Sequence, residues 1–267
     1  MIKTEYLERF LGCYRVKEWF YHLGFVYLGL AYASKSYTVD PLKMIAGILA
    51  ASLYLAGGYS YNRFCDSGDT KRIFLSLVML GVFILWSVYL VKTAAVFFLV
   101  AIVLNILYVH PGYLWKKYHL FSVLLNGYTF GLLFLFGALV ISLEFNPGVC
   151  ALTIFFMLVM FPYQILHEIA HFLEDNRGYN NRKFKVYLRQ IYCLLFILLA
   201  YTFFIYNFLE MSVLFILVSY LFIFFFFICI KGIDKKEALN IISAQKIRSI
   251  LRYAGIAYGL LLIPSFV

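Results

Sequence analysis

Nine apolar runs, marked off by charges, Pro and Gly, set what this chain can fold into. They lie at 19–34, 42–62, 73–91, 93–109, 120–142, 148–172, 186–207, 211–230 and 248–266. Lipid offers the backbone no hydrogen-bond partner, so a spanning segment must be a helix of about 20 apolar residues or a strand of a closed barrel. The runs are continuous and not alternating, which predicts helices. Only Lys92 and Thr93 separate the third run from the fourth. Charged residues make up 13% of the 267, about half the share of a soluble domain, which excludes a soluble domain and a disordered chain. The expectation is an all-α polytopic membrane protein with nine transmembrane helices in one domain, 1–267.

Charge placement gives an orientation. Of the 23 Lys and Arg, only Lys35, Lys43 and Lys92 fall on what becomes the outer side when the N-terminus is inside. That asymmetry follows the positive-inside rule and predicts a cytoplasmic N-terminus in a cell inner membrane. No cleavable signal peptide is expected, and the first 18 residues read as an interfacial amphipathic helix. The Cys residues at 13, 65, 150, 193 and 229 form no CxxC pair, so neither a disulfide framework nor a Cys zinc site is indicated.

Ionisable residues inside a membrane segment are costly, and each is a functional candidate. They gather at the inner ends of two spans. The first cluster, Tyr61 to Arg72, holds Asn62, Asp66 and Asp69 at i, i+4 and i+7. These share one face if the helix continues through Gly68. The second, His167 to Arg177, holds Glu168, His171 and Asp175 at i, i+3 and i+7. Two oxygen-rich helix ends on one side of the membrane suit Mg2+, which takes one or two carboxylates, waters and substrate phosphates. The bland reading is a pair of solvated helix ends. After the fourth span, Tyr108-Val-His-Pro-Gly-Tyr-Leu-Trp-Lys-Lys117 places a Pro-Gly turn before Lys116 and Lys117. Those lysines can neutralise phosphate or simply anchor the interface.

Taken together, these features resemble the UbiA-type intramembrane prenyltransferases. That family has nine membrane helices and two Asp-rich motifs, after helices two and six. Asn62 and Asp66 match its first motif, NDxxDxxxD. Arg63 replaces the first Asp and Thr70 the last, with Asp69 one position early. In the second motif, DxxDxxxD, Glu168 and His171 stand for the first two Asp and Asp175 matches the third. Tyr108, Pro111 and Lys116 fit the family's Tyr-x-x-Pro segment with its following basic residue. Arg15-Val-Lys-Glu-Trp19 resembles its Arg-Pro-x-x-Trp lead-in.

The resemblance implies transfer of an isoprenyl group from an isoprenyl diphosphate to a lipophilic or aromatic acceptor, with Mg2+. It implies metal ligation by Asn62, Asp66, Asp69, Glu168 and Asp175. Asp66, Glu168, His171 and Asp175 would form the catalytic set. Lys116, Arg177 and Arg182 would meet phosphate, and Tyr108 and Asn126 would line the substrate site. The neutral imidazole of His171 is a poor Mg2+ ligand, so a weakened metal site, a role for His171 toward the acceptor, and a diverged non-catalytic or cyclase member all stay open.

His167-Glu168-Ile-Ala-His171 is also a literal HExxH, which predicts an intramembrane zinc protease as the rival. That reading leaves Asn62, Asp66 and Lys116 without a role. A lipid transporter and a non-enzymatic scaffold are the remaining alternatives. Asn126 and Gln164 also read as interhelical hydrogen-bonding residues, His22, His110 and His119 as interfacial anchors, and Glu144 and Glu210 as outer-turn residues. The basic stretch from Lys231 to Lys246 reads as an anionic-lipid contact.

Overall fold

The computed structural model describes residues 12, 14–110, 119–174, 181–234 and 241–266, with side chains except at 119, 171–174, 181–184, 232–234 and 241–248. Among the described residues there are no strands. A helical turn, Val16–Trp19, and a 3-10 turn, Phe20–His22, lead into nine helices among the described residues. These are α1 (Leu23–Ser34), α2 (Pro41–Ser67), α3 (Thr70–Leu90), α4 (Lys92–Val109), α5 (His119–Ser142), α6 (Pro147–Glu174), α7 (Asn181–Phe208), α8 (Val213–Asp234) and α9 (Ile241–Phe266).

Among the described residues, eight helices, α2 to α9, are long and apolar enough to cross a membrane. The protein is an integral membrane protein. The first expected span differs from the rest. Its helix proper, α1, has only 12 residues, because the chain breaks at Trp19 (φ −119°) and tightens into the 3-10 turn before Leu23. The turn between the third and fourth runs is a single-residue break at Val91, with φ −150° and ψ 83°.

The chain divides into two compact units, Met1–Asn146 and Pro147–Val267. In the first, α5 is the enclosed helix, and every residue from Thr129 to Val140 is buried. It lies closest to α1, where Gly29 and Gly137 remove side chains from the contact. A Cβ at Gly29 would come within 2.6 Å of the Ala138 backbone nitrogen, and one at Gly137 within 3.0 Å of Val26 Cα. Small residues let helix backbones approach in lipid, where dispersion and not water exclusion drives association.

Rings from four helices interlock beside that contact. Tyr54 of α2, Phe83 of α3, Phe98 of α4 and Phe136 of α5 pack with centroid separations of 4.8 to 5.9 Å, several edge to face. Phe98→Ala removes a wholly buried ring from this knot. We expect a loss of about 2–3 kcal/mol, at the low end for such truncations because the unfolded helices remain in lipid. A thermal melt in detergent checks this against Leu85→Ala, whose side chain faces outward.

In the second unit, α6 packs against α7 and α9, and α8 lies between α7 and α9. Phe155, Phe156, Phe215 and Phe266 form its ring core. Two polar ties cross it. Tyr201 donates to the Ala151 carbonyl at 3.1 Å, and the Ser219 and Tyr258 hydroxyls pair at 3.2 Å. Pro162 lies inside α6, and its missing N–H removes the bond that would have gone to the Leu158 carbonyl. Of the basic stretch 231–246, Lys231 to Asp234 extends α8 and 235–240 lies outside the described residues.

Candidate functional site

The first unit gathers its polar residues at the end of α2. Gly68 takes a left-handed conformation (φ 70°) that an L side chain rarely adopts, and it ends the helix. Its N–H donates to Cys65 O at 3.4 Å, and Asp69 N–H donates to Phe64 O at 3.2 Å, a Schellman closure. Asp69 then starts α3. Its carboxylate accepts from Arg72 N–H at 3.2 Å and pairs with Arg72 Nε at 3.3 Å. The single face expected for Asn62, Asp66 and Asp69 therefore ends at Asp66. The helix does not continue through Gly68, and the Asp69 carboxylate is engaged as a cap.

Asn62 and Asp66, one turn apart, remain on one face of α2, with Asp66 exposed and Asn62 half-buried. Tyr59 lies on the same face, three residues before Asn62. Behind them Tyr61 and Cys65 pack with Val109, Ile73, Ile106 and Tyr108, which brings the end of α4 against the end of α2. The Tyr108 hydroxyl pairs with Ser122 Oγ at 2.9 Å, and Asn126 Nδ2 donates to the Ser122 carbonyl at 2.9 Å. Tyr108 and Asn126 thus meet through Ser122, which sequence reasoning passed over because a lone Ser in an apolar run carries no motif. The Asn126 bond is within its own helix and not interhelical, as expected of an amide one turn from a free carbonyl.

His22 also departs from expectation. It is buried and not an interfacial anchor, with its ring 4.2 Å from that of Phe130 and 6.1 Å from that of Tyr59. The 3-10 turn that interrupts the first span carries it inward.

In the second unit, α6 carries the second motif. Gln164 is buried and donates from Nε2 to Glu168 Oε1 at 3.0 Å. That bond lies within α6, not between helices. It places Gln164, Glu168 and the backbone of residue 171 on one face, at i, i+4 and i+7. Tyr187 of α7 is close enough to interact electrostatically with Glu168. Lys116, Asp175 and Arg177 lie outside the described residues, as do the side chains of His171 and Arg182. Glu144 and Glu210 are exposed in the turns between helices, as expected.

Among the described residues no cluster of three or more His, Cys, Asp and Glu forms. Each unit instead offers one helix-end face with a carboxylate and an amide, Asp66 with Asn62 and Glu168 with Gln164. Hard oxygen donors of this kind suit Mg2+, which shares its shell with waters and phosphates.

No family model matches the sequence, and no curated protein does. Solved structures do. A UbiA homologue from Archaeoglobus fulgidus bound to GPP and Mg2+ matches with a TM-score of 0.70 at 15% identity, over 95% of this chain and 99% of that chain. The chain has the UbiA-type fold. The same homologue bound to DMAPP and Mg2+ matches with a TM-score of 0.69, also at 15% identity, over 95% of this chain and 98% of that chain. A digeranylgeranylglyceryl phosphate synthase in membranes shares the UbiA-type fold with a TM-score of 0.73 at 17% identity, over 98% of this chain and 99% of that chain.

Proposed function

We propose that the protein is an intramembrane prenyltransferase. It moves an isoprenyl group from an isoprenyl diphosphate to a lipophilic or aromatic acceptor, with Mg2+. The observation that carries this reading is the placement of Asn62, Asp66 and Glu168 on the ends of α2 and α6 of a UbiA-type fold. Solved structures with that fold hold GPP or DMAPP with Mg2+. His167 to His171 lies in the last two turns of the sixth helix, where the family's second motif belongs, which favours the prenyltransferase over the zinc protease.

Asn62, Asp66, Glu168 and Asp175 would hold the metal, with Asp69 contributing charge from its cap position. When bound, Mg2+ neutralises the charge that develops on the leaving diphosphate. Lys116, Arg177 and Arg182 add positive charge to the phosphates. The allylic C–O bond breaks with its electron pair leaving on the diphosphate, and the acceptor's electrons form the new bond to carbon. In this reading His171 would take the acceptor's proton. Tyr108 and Asn126, tied through Ser122, would contact the substrate. The apolar helices around the site keep water from the allylic cation. The Lys/Arg distribution supports placing the N-terminus and both acidic helix ends on the cytoplasmic side of the cell inner membrane.

The test is transfer itself. Membranes containing the protein are given radiolabelled geranyl diphosphate, with Mg2+ or with a chelator, and extracted with organic solvent. The reading expects Mg2+-dependent label in a product that withstands phosphatase treatment. Label recovered only as diphosphate or free prenol counts against it.

A further inference from the structure

Position 63 is where the sequence departs most plainly from the acidic motif, with a cation in place of a carboxylate. Its surroundings give that cation a different task. Arg63 Nη1 donates to the Gly12 carbonyl at 2.5 Å, 51 residues away in sequence. Gly12 belongs to the lead-in before α1, and this lead-in is tightly bonded where it is described. Arg15 takes a left-handed backbone conformation (φ 51°), and its N–H donates to Gly12 O at 3.3 Å. Its guanidinium grips Glu18 through two bonds, one of them at 2.7 Å, and Glu18 N–H donates to Arg15 O at 2.8 Å. Trp19 is buried and donates from Nε1 to Tyr14 O at 2.7 Å.

The lead-in meets α2 at two places. One is the bond from Arg63. The other is His22, whose ring lies against Tyr59 on the α2 face that carries Asn62 and Asp66. Tyr59 and Arg63 stand four residues apart on α2, so the two contacts project about 40° apart and hold one side of its last turns. A helix tied to its neighbour at two points along one side resists rolling about its axis, and roll is what would turn Asn62 and Asp66 away from a bound diphosphate.

We propose that Arg63 is a positioning residue. It clasps the lead-in at Gly12 to the end of α2 and so fixes the direction in which Asn62 and Asp66 point. The inference rests on the prenyltransferase reading for what those two residues bind, but the clasp can be measured without it.

The experiment compares wild type with Arg63→Met, Arg63→Lys and Arg63→Asp in lipid nanodiscs. Hydrogen exchange across residues 14–19 is read without ligand, and geranyl diphosphate affinity is read with Mg2+. The bond lies exposed, so Arg63→Met should speed exchange of the lead-in roughly threefold to tenfold. It should weaken diphosphate binding by up to a similar factor. Arg63→Lys, which keeps a donor, should recover part of both. Arg63→Asp should behave like Arg63→Met. Unchanged lead-in exchange in Arg63→Met overturns the clasp. Tighter Mg2+-dependent binding in Arg63→Asp also overturns it, because residue 63 would then face the metal. If wild type binds no diphosphate, the prenyltransferase reading fails, while the exchange result still decides whether Arg63 holds the lead-in.

Discussion

Asp66→Asn should raise the Kd for geranyl diphosphate, measured with Mg2+, by about a hundredfold or more, and Glu168→Gln should do the same. Each change keeps the side chain's size and removes one charge, so the loss reports ligation and not packing. A hundredfold corresponds to about 2.7 kcal/mol, within the range for removing one strong electrostatic contact from a polar site. Asp66 lies in the first unit and Glu168 in the second. If both hold one metal–diphosphate group, the double variant should bind scarcely more weakly than either single one. Groups that act as a unit are non-additive. Fully additive losses would mean that the two acidic helix ends act independently, and the proposed site would have to be abandoned.

The other large effect is on stability. Gly137→Val should destabilise the first unit by about 3 kcal/mol or more, at or beyond the top of the usual range for overpacking. The reason is what the new side chain would meet. At Gly137 a Cβ falls against the Val26 backbone of α1, which cannot rotate aside as a side chain can. The α1–α5 crossing would have to open, and buried Phe134 would lose its packing against Tyr32 of α1. Gly58→Ala is the control, because a Cβ there meets nothing within 4 Å. Its melt should stay within about 0.5 kcal/mol of wild type, as for a substitution that strains no backbone and meets no neighbour. Equal melts for the two variants would contradict the close-crossing account.

What was legible in the sequence follows the range of the physics involved. The helices could be read because lipid imposes one local solution on every apolar run, whatever its neighbours. Even the break at Val91 could be placed to within two residues by the Lys92–Thr93 interruption. The two acidic helix ends could be read because a carboxylate at a membrane border stands out against its surroundings. Local competition at single residues was harder to see. Asp69 looked like a third ligand, but the left-handed turn at Gly68 made it a cap for α3. Gln164 looked like glue between helices, whereas it lies one turn from Glu168 and serves that carboxylate. His22 looked interfacial because nothing in its neighbours announces a 3-10 turn. Arg63 looked like a damaged motif, since its partner is a backbone carbonyl 51 residues away that no side-chain pattern marks.

The measurement that bears most directly on the central claim is the thermal stability of the purified wild-type protein with geranyl diphosphate, in Mg2+ and in chelator. Ligand at 100 times its Kd stabilises the folded state by about 2.7 kcal/mol, a shift readily seen for a protein of this size. The account predicts stabilisation in Mg2+, little or none in chelator, and only a small fraction of the wild-type shift in Asp66→Asn. No shift at saturating diphosphate, together with bound zinc and peptide cleavage that His167→Ala abolishes, would contradict it and establish the HExxH reading instead.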